Sequence, residues 1–278
     1  MLEALSYSFI QNAIIAGILI SIITGIIGSL IVVNKMVFLS GGIAHSAYGG
    51  IGLSIYFGLP MLLSTSLFSI FITIIIALLT YKKRENLDTI IGLTWAIGMS
   101  FGILLVDLTP GYNSDLMSYL FGSILAVNNT DIIFMLSLLA FIIVILVFFY
   151  RDILAVSYDS EYARLRGIYT RFFYTLILLL SALCIVISIK IVGLILVIAL
   201  LTIPIYISKR FCNTLFSMII TSGFFSMIFT ILGLVLSYNF DLSSGPSIIL
   251  VSSIFMFILI FFDFINNKVI KKEKILSL

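Results

Sequence analysis

This chain is poor in charge. Asp, Glu, Lys and Arg together make up 10% of its 278 residues. A soluble domain carries roughly a quarter, so a surface wetted on every side is excluded. Histidine occurs once, at His45. With no second histidine, no H-E-x-x-H and no G-x-S-x-G, an intramembrane hydrolase is not expected, and the chain reads as a non-enzyme. The two cysteines, Cys184 and Cys212, lie far apart and suggest neither a disulfide framework nor a metal pair. No G-x-x-x-x-G-K-[ST] phosphate loop is present, and no polar stretch is long enough for a soluble domain. If ATP drives this protein, another chain must hydrolyse it. No nucleic-acid partner is expected.

What is present is apolar. Hydrophobic residues make up 62% of the sequence, and the mean hydropathy is +1.30. The apolar runs are about 20 residues long without period-two alternation, which predicts membrane helices rather than barrel strands. The fold class expected is an all-α polytopic bundle, a single integral-membrane domain over 1–278. Candidate spans are Phe9–Val33, Ile43–Gly58, Met61–Thr80, Ile90–Leu108, Ile132–Tyr150, Phe172–Ile189, Ile191–Ser208, Leu215–Tyr238 and Pro246–Phe264. Ile43–Gly58 is short and Gly-broken, and Asp115–Val127 is shorter still and dips into or lies on the bilayer. Eight or nine spans are therefore expected. Phe9–Val33 lacks a basic flank and is too long for a signal-peptide core.

Lysine and arginine orient the bundle. Lys35, Lys82, Lys83, Arg84, Arg151, Arg164, Arg166, Arg171, Lys209, Arg210 and the lysines after residue 267 can share one side, leaving only Lys190 on the other. That side is the cytoplasm by the positive-inside rule, which places the C-terminus there.

Three places could carry chemistry. His45 lies in LSGGIAHSAYGGIGL, among small residues that let helix backbones approach closely. An imidazole inside a membrane is a functional-site hypothesis by default and offers a lone pair to a metal ion. The simpler alternative is a histidine satisfied between packed helices. Asp115 opens DLMSYLFGSILAV, either as an N-cap or as a carboxylate at the outer mouth. Tyr158–Gly167 reads as a short helix capped by Asp159 or Ser160, with Glu161 in its first turn, Arg164 and Arg166 in its last, and Gly167 at C′. So short a helix is marginal alone, so it docks on its own protein, on headgroups or on a cytoplasmic partner. Pro204 can kink the end of its span.

These stretches also resemble a known family. FLSGGIAHSAYGGIGL at 38–53, DLMSYLFGSILAV at 115–127, YRDILAVSYDSEYARLRG at 150–167, IKIVGLILVIALLTIP at 189–204 and DLSSGPSIIL at 241–250 are similar, in order, to the permease subunits of zinc, manganese and iron ABC importers. The resemblance covers nearly the whole chain. It implies an importer permease fold in the cell membrane, working as a dimer with a second permease copy. Its implied partners are a cytoplasmic ATP-binding subunit and an extracytoplasmic metal-binding protein. It also implies a coupling helix built from Asp159, Ser160, Glu161, Tyr162, Ala163, Arg164 and Gly167. His45 matches the family's G-D-x-x-x-H-like stretch and Asp115 the start of its D-x-x-S-Y-L-F-G stretch, implying transient contacts for a transported divalent metal, with no permanently bound cofactor. Many zinc and manganese members carry an aspartate shortly before that histidine, where Gly41 and Gly42 stand here. An imidazole without that carboxylate leans toward zinc, ahead of manganese or iron. A secondary metal transporter or channel independent of an ATPase is the alternative.

Overall fold

A computed structural model describes residues 7–82, 84–109 and 122–276, with backbone alone for 266–276. Asp115 and most of 115–127 therefore lie outside the described residues. The described elements are helical: α1 (Ser8–Val33), α2 (Val37–Ser46), α3 (Tyr48–Phe57), α4 (Met61–Thr80), α5 (Leu87–Asp107), α6 (Asn129–Tyr158), α7 (Ser160–Leu165), α8 (Thr170–Val192), α9 (Leu194–Leu200), α10 (Ile203–Ser208), α11 (Leu215–Phe240) and α12 (Ser244–Leu276).

Among the described residues, seven helices are long and apolar enough to cross a membrane: α1, α4, α5, α6, α8, α11 and α12. The two other expected spans are interrupted. The stretch around His45 starts earlier than expected, at Val37, and breaks only at Ala47, between α2 and α3. The segment after Lys190 breaks twice. Gly193 separates α8 from α9 with φ 81 and ψ 163, a conformation open essentially to glycine alone. Thr202 separates α9 from α10. Pro204 does not kink a continuous helix; it sits in the first turn of α10, where its missing N–H costs no internal bond.

The helices sort by burial. The apolar window of α1 is 78% buried and that of α8 67%, against 11% for α12, so α1 and α8 form the centre and α12 faces outward. In lipid, the attraction between apolar helices is weak, and close packing of small residues replaces it. On α1 these are Gly17, Ser21, Gly25 and Ser29, four residues apart and so on one face. That face meets α11: a Cβ on Gly25 would stand 2.7 Å from the Gly223 Cα. The hydroxyls of Ser21 and Thr230 lie 3.3 Å apart, as do those of Ser29 and Ser222.

Polar ties gather the helix ends into two rims. At one, Asn34 donates to Ser157 (2.9 Å), the hydroxyls of Tyr81 and Thr170 meet (2.8 Å), and Arg210 pairs with Asp263. At the other, Asn12 donates to Asn129 (3.2 Å) and Lys190 pairs with Asp131 at 2.5 Å. Lys190 thus stands apart from the other cations, at the opposite rim, as expected.

Candidate functional site

His45 owes its place to the closeness of two helices. The α2–α3 segment runs parallel to α5, and glycines set the separation. A Cβ on Gly98 would fall 2.8 Å from the Ser46 Cα, and one on Gly52 would fall 2.5 Å from the Gly102 carbonyl oxygen. A side chain at Gly42 would run into Ile91. Between these contacts, the imidazole of His45 stacks on the indole of Trp95, with centroids 4.0 Å apart and planes at 26°. Phe38, two turns before His45 on α2, also meets the indole, with ring centroids 6.0 Å apart and planes at 44°.

The protonation pattern follows from one contact. His45 Nδ1 lies 2.9 Å from the Gly41 carbonyl oxygen. A carbonyl only accepts, so Nδ1 carries the proton and the neutral ring keeps its lone pair on Nε2. The ring is half-buried, and a Cβ placed on Gly41 would meet Ile198 of α9 at 3.7 Å and the Trp95 indole at 3.9 Å, ordinary van der Waals contacts. No group of three or more His, Cys, Asp and Glu side chains gathers among the described residues, so His45 can offer a contact there but not a closed cage. Counted at about 1.5 Å per residue, His45 sits roughly 12 Å in from the Val37 end of its helix.

The Tyr158–Gly167 stretch folds as its residues suggest. Asp159 Oδ1 accepts from the Glu161 N–H at 3.0 Å and the Tyr162 N–H at 2.9 Å. At the other end Gly167 has φ +80, and the bonds Gly167 N–H to Arg164 O (3.0 Å) and Ile168 N–H to Ala163 O (3.1 Å) form the Schellman pair. Ala163 is fully buried and seats the helix on its own bundle. It supports the surface instead of belonging to it. Tyr162, Leu165 and Tyr169 are exposed, Leu165 by 85% and Tyr169 by 83%. The Arg166 guanidinium lies over the Tyr162 ring at 4.9 Å. Ser160, Glu161 and Arg164 line a polar cleft of about 350 Å³ with Tyr81, Lys82, Arg84 and Thr170. This surface belongs to the cation-rich rim. The structure does not bring it together with His45.

Two features escaped the sequence reading. Trp95 could have been noticed as the chain's one tryptophan. The Lys190–Asp131 pair could have been half-seen, since Asn128 and Asp131 have capping-box spacing and form that box.

The sequence model of the ABC 3 transport family matches residues 6–263. The chain is 45% identical over 254 residues to an uncharacterized membrane protein of Synechocystis, covering 91% of this chain and 90% of that one. It is 32% identical to the manganese transport system membrane protein MntC of Listeria monocytogenes (93% and 92% covered). It is 31% identical to the high-affinity zinc uptake system membrane protein ZnuB of Haemophilus influenzae (92% and 98%). Among solved structures it resembles a chain of PsaBC from Streptococcus pneumoniae, with TM-score 0.81, 31% identity and 92% and 93% coverage. Seven described helices long and apolar enough to cross a membrane, the family match over residues 6–263 and these relatives agree: the chain is a multi-pass membrane protein and belongs to the ABC 3 transport family.

Proposed function

We propose that this chain is the permease subunit of an ATP-driven importer for a divalent transition metal. The observation that carries the reading is the His45 nook. A lone pair is held ready on Nε2 within a membrane helix, and among the described residues no cluster of three or more His, Cys, Asp and Glu side chains would trap an ion. A path that bound its cargo tightly would release it slowly, so a sparse ligand set suits transport. His45 and Asp115 are the transient contacts, and a second permease copy completes the path.

The interrupted segments Val37–Phe57 and Leu194–Ser208 count as two further crossings, giving nine. The Lys/Arg-rich rim then faces the cytoplasm, and the C-terminus lies there. On that rim the 159–167 helix seats on the ATP-binding subunit, presenting Tyr162, Leu165 and Arg164 while Asp159 and Gly167 hold its ends. An extracytoplasmic metal-binding protein delivers the ion at the opposite rim.

Zinc is the cargo favoured by a nitrogen donor without a neighbouring carboxylate, since manganese prefers oxygen ligands. Manganese, named for a relative 32% identical where the zinc relative is 31% identical, is the competing cargo, followed by iron. The test is growth rescue. A bacterial strain stripped of its own zinc, manganese and iron importers is given this chain with its ATP-binding and metal-binding partners. Rescue under zinc limitation supports the proposal. Rescue under manganese or iron limitation alone moves the cargo, and rescue without a functional ATP-binding subunit removes the importer reading.

A further inference from the structure

We propose that Trp95 is a positioning residue for the passing metal, acting through His45. This inference rests on the reading of His45 as a pathway contact. Two constraints are needed to aim an imidazole. Its proton must be fixed on one nitrogen, and its plane must be fixed in space. The Gly41 carbonyl supplies the first, at 2.9 Å from Nδ1. It constrains the second only in part, because a single hydrogen bond leaves the ring room to tilt about the Nδ1–oxygen axis. The indole of Trp95 supplies the plane, stacked at 4.0 Å and 26°.

The helices hold both rings in register. The close contacts of Gly42 with Ile91 and of Gly98 with Ser46 lie before and after the ring pair, so neither ring can slide along its helix. Phe38 adds a tilted ring contact to the indole at 6.0 Å. Stacking occupies one face of the imidazole, and the hydrogen bond occupies Nδ1. What remains is the in-plane lone pair on Nε2. Trp95 thereby removes the tilt left to a ring already held at Nδ1 and makes Nε2 a directional donor. A directional nitrogen favours metals that bind imidazole well over those that prefer oxygen, so Trp95 also bears on selectivity.

The chain has a single tryptophan, which makes the purified permease its own reporter. In the full chain reconstituted in nanodiscs, Zn²⁺ alone is added and Trp95 emission is followed. A cation arriving at Nε2 is expected to change the emission of the stacked indole, and His45→Ala is expected to abolish that change. In proteoliposomes carrying the complete importer, Trp95→Leu is expected to lower initial uptake on the order of tenfold, the scale of lost support behind a metal ligand. It should also narrow the ratio of zinc to manganese uptake. Trp95→Phe, which keeps an aromatic face, should restore most of the rate and the ratio.

The outcomes separate. If His45→Ala transports normally, the pathway reading of His45 fails, and this inference with it. If His45→Ala is impaired while Trp95→Leu keeps the wild-type rate and metal ratio, this inference alone is overturned. Should Trp95→Leu not reach the membrane, the wild-type chain decides. A Zn²⁺ response that His45→Ala removes supports the pairing, and no response overturns it.

Discussion

Trp95 and His45 lie ring against ring at 4.0 Å because the helices carrying them nearly touch backbone to backbone. The contact joins packing to function: the glycines that let α2 and α3 approach α5 also decide where the chain's only imidazole points.

That seam makes a prediction about stability. Gly102→Ala places a methyl group against the backbone of α3 and should destabilise the protein by about 2 kcal/mol, as overpacking does. Gly92, on the same helix, has open space where its Cβ would be. Gly92→Ala should therefore be neutral or stabilising by up to ~1 kcal/mol through helix propensity. Thermal unfolding of the two detergent-solubilised variants checks the pair. Equal melting temperatures would show that the seam carries no special constraint.

His45→Ala should impair uptake or change the preference between zinc and manganese, without altering the amount of protein in the membrane. Its Nδ1–H bond is made to Gly41 within its own helix, so no other helix loses a hydrogen-bond partner. Radiometal uptake set against membrane abundance measures the effect. An unchanged uptake profile would return His45 to a packing role.

The coupling surface is tested through its ends. Asp159→Ala removes the acceptor for two N–H groups, worth about 1 kcal/mol at a helix start. Gly167→Ala forces a Cβ into a left-handed conformation, at a cost of roughly 1–2 kcal/mol. In a helix as short as α7 either change should fray the docking surface. Metal uptake should fall while the ATP-binding subunit retains its basal hydrolysis. Uptake at the wild-type level in both variants would remove the coupling assignment.

Much of this was legible in the sequence. The spans were visible because each is a long apolar run, and α7 because its cap, its charges and Gly167 all act locally. The start of the His45 segment was missed because Gly41 and Gly42 read as a break, whereas in the fold a Cβ on Gly42 would run into Ile91 of α5 and the helix continues through both. The break at Gly193 was hidden inside a continuous apolar run, where hydropathy carries no information about φ. The pairing of Trp95 with His45 was invisible for another reason: the two are fifty positions apart in the chain, and neither helix alone shows that they are in register.

Lys190 shows the same limit. By charge it was an isolated cation at one rim, yet it holds Asp131, a carboxylate only 10% exposed. Lys190→Met should destabilise by about 1 kcal/mol, a modest value because the ammonium is partly exposed and screened. Adding Asp131→Asn should recover part of that loss. A double-mutant cycle on thermal unfolding reads the coupling, and strictly additive effects would show that the pair contributes nothing.

The most direct test is metal accumulation in proteoliposomes that hold this chain and its ATP-binding subunit, with the metal-binding protein supplied outside. Zinc, manganese and iron are offered separately, with ATP or with a nonhydrolysable analogue. Accumulation of one metal, zinc foremost, that requires hydrolysis is the expected result. Equal accumulation without hydrolysis would contradict the importer reading and point to a channel or secondary carrier.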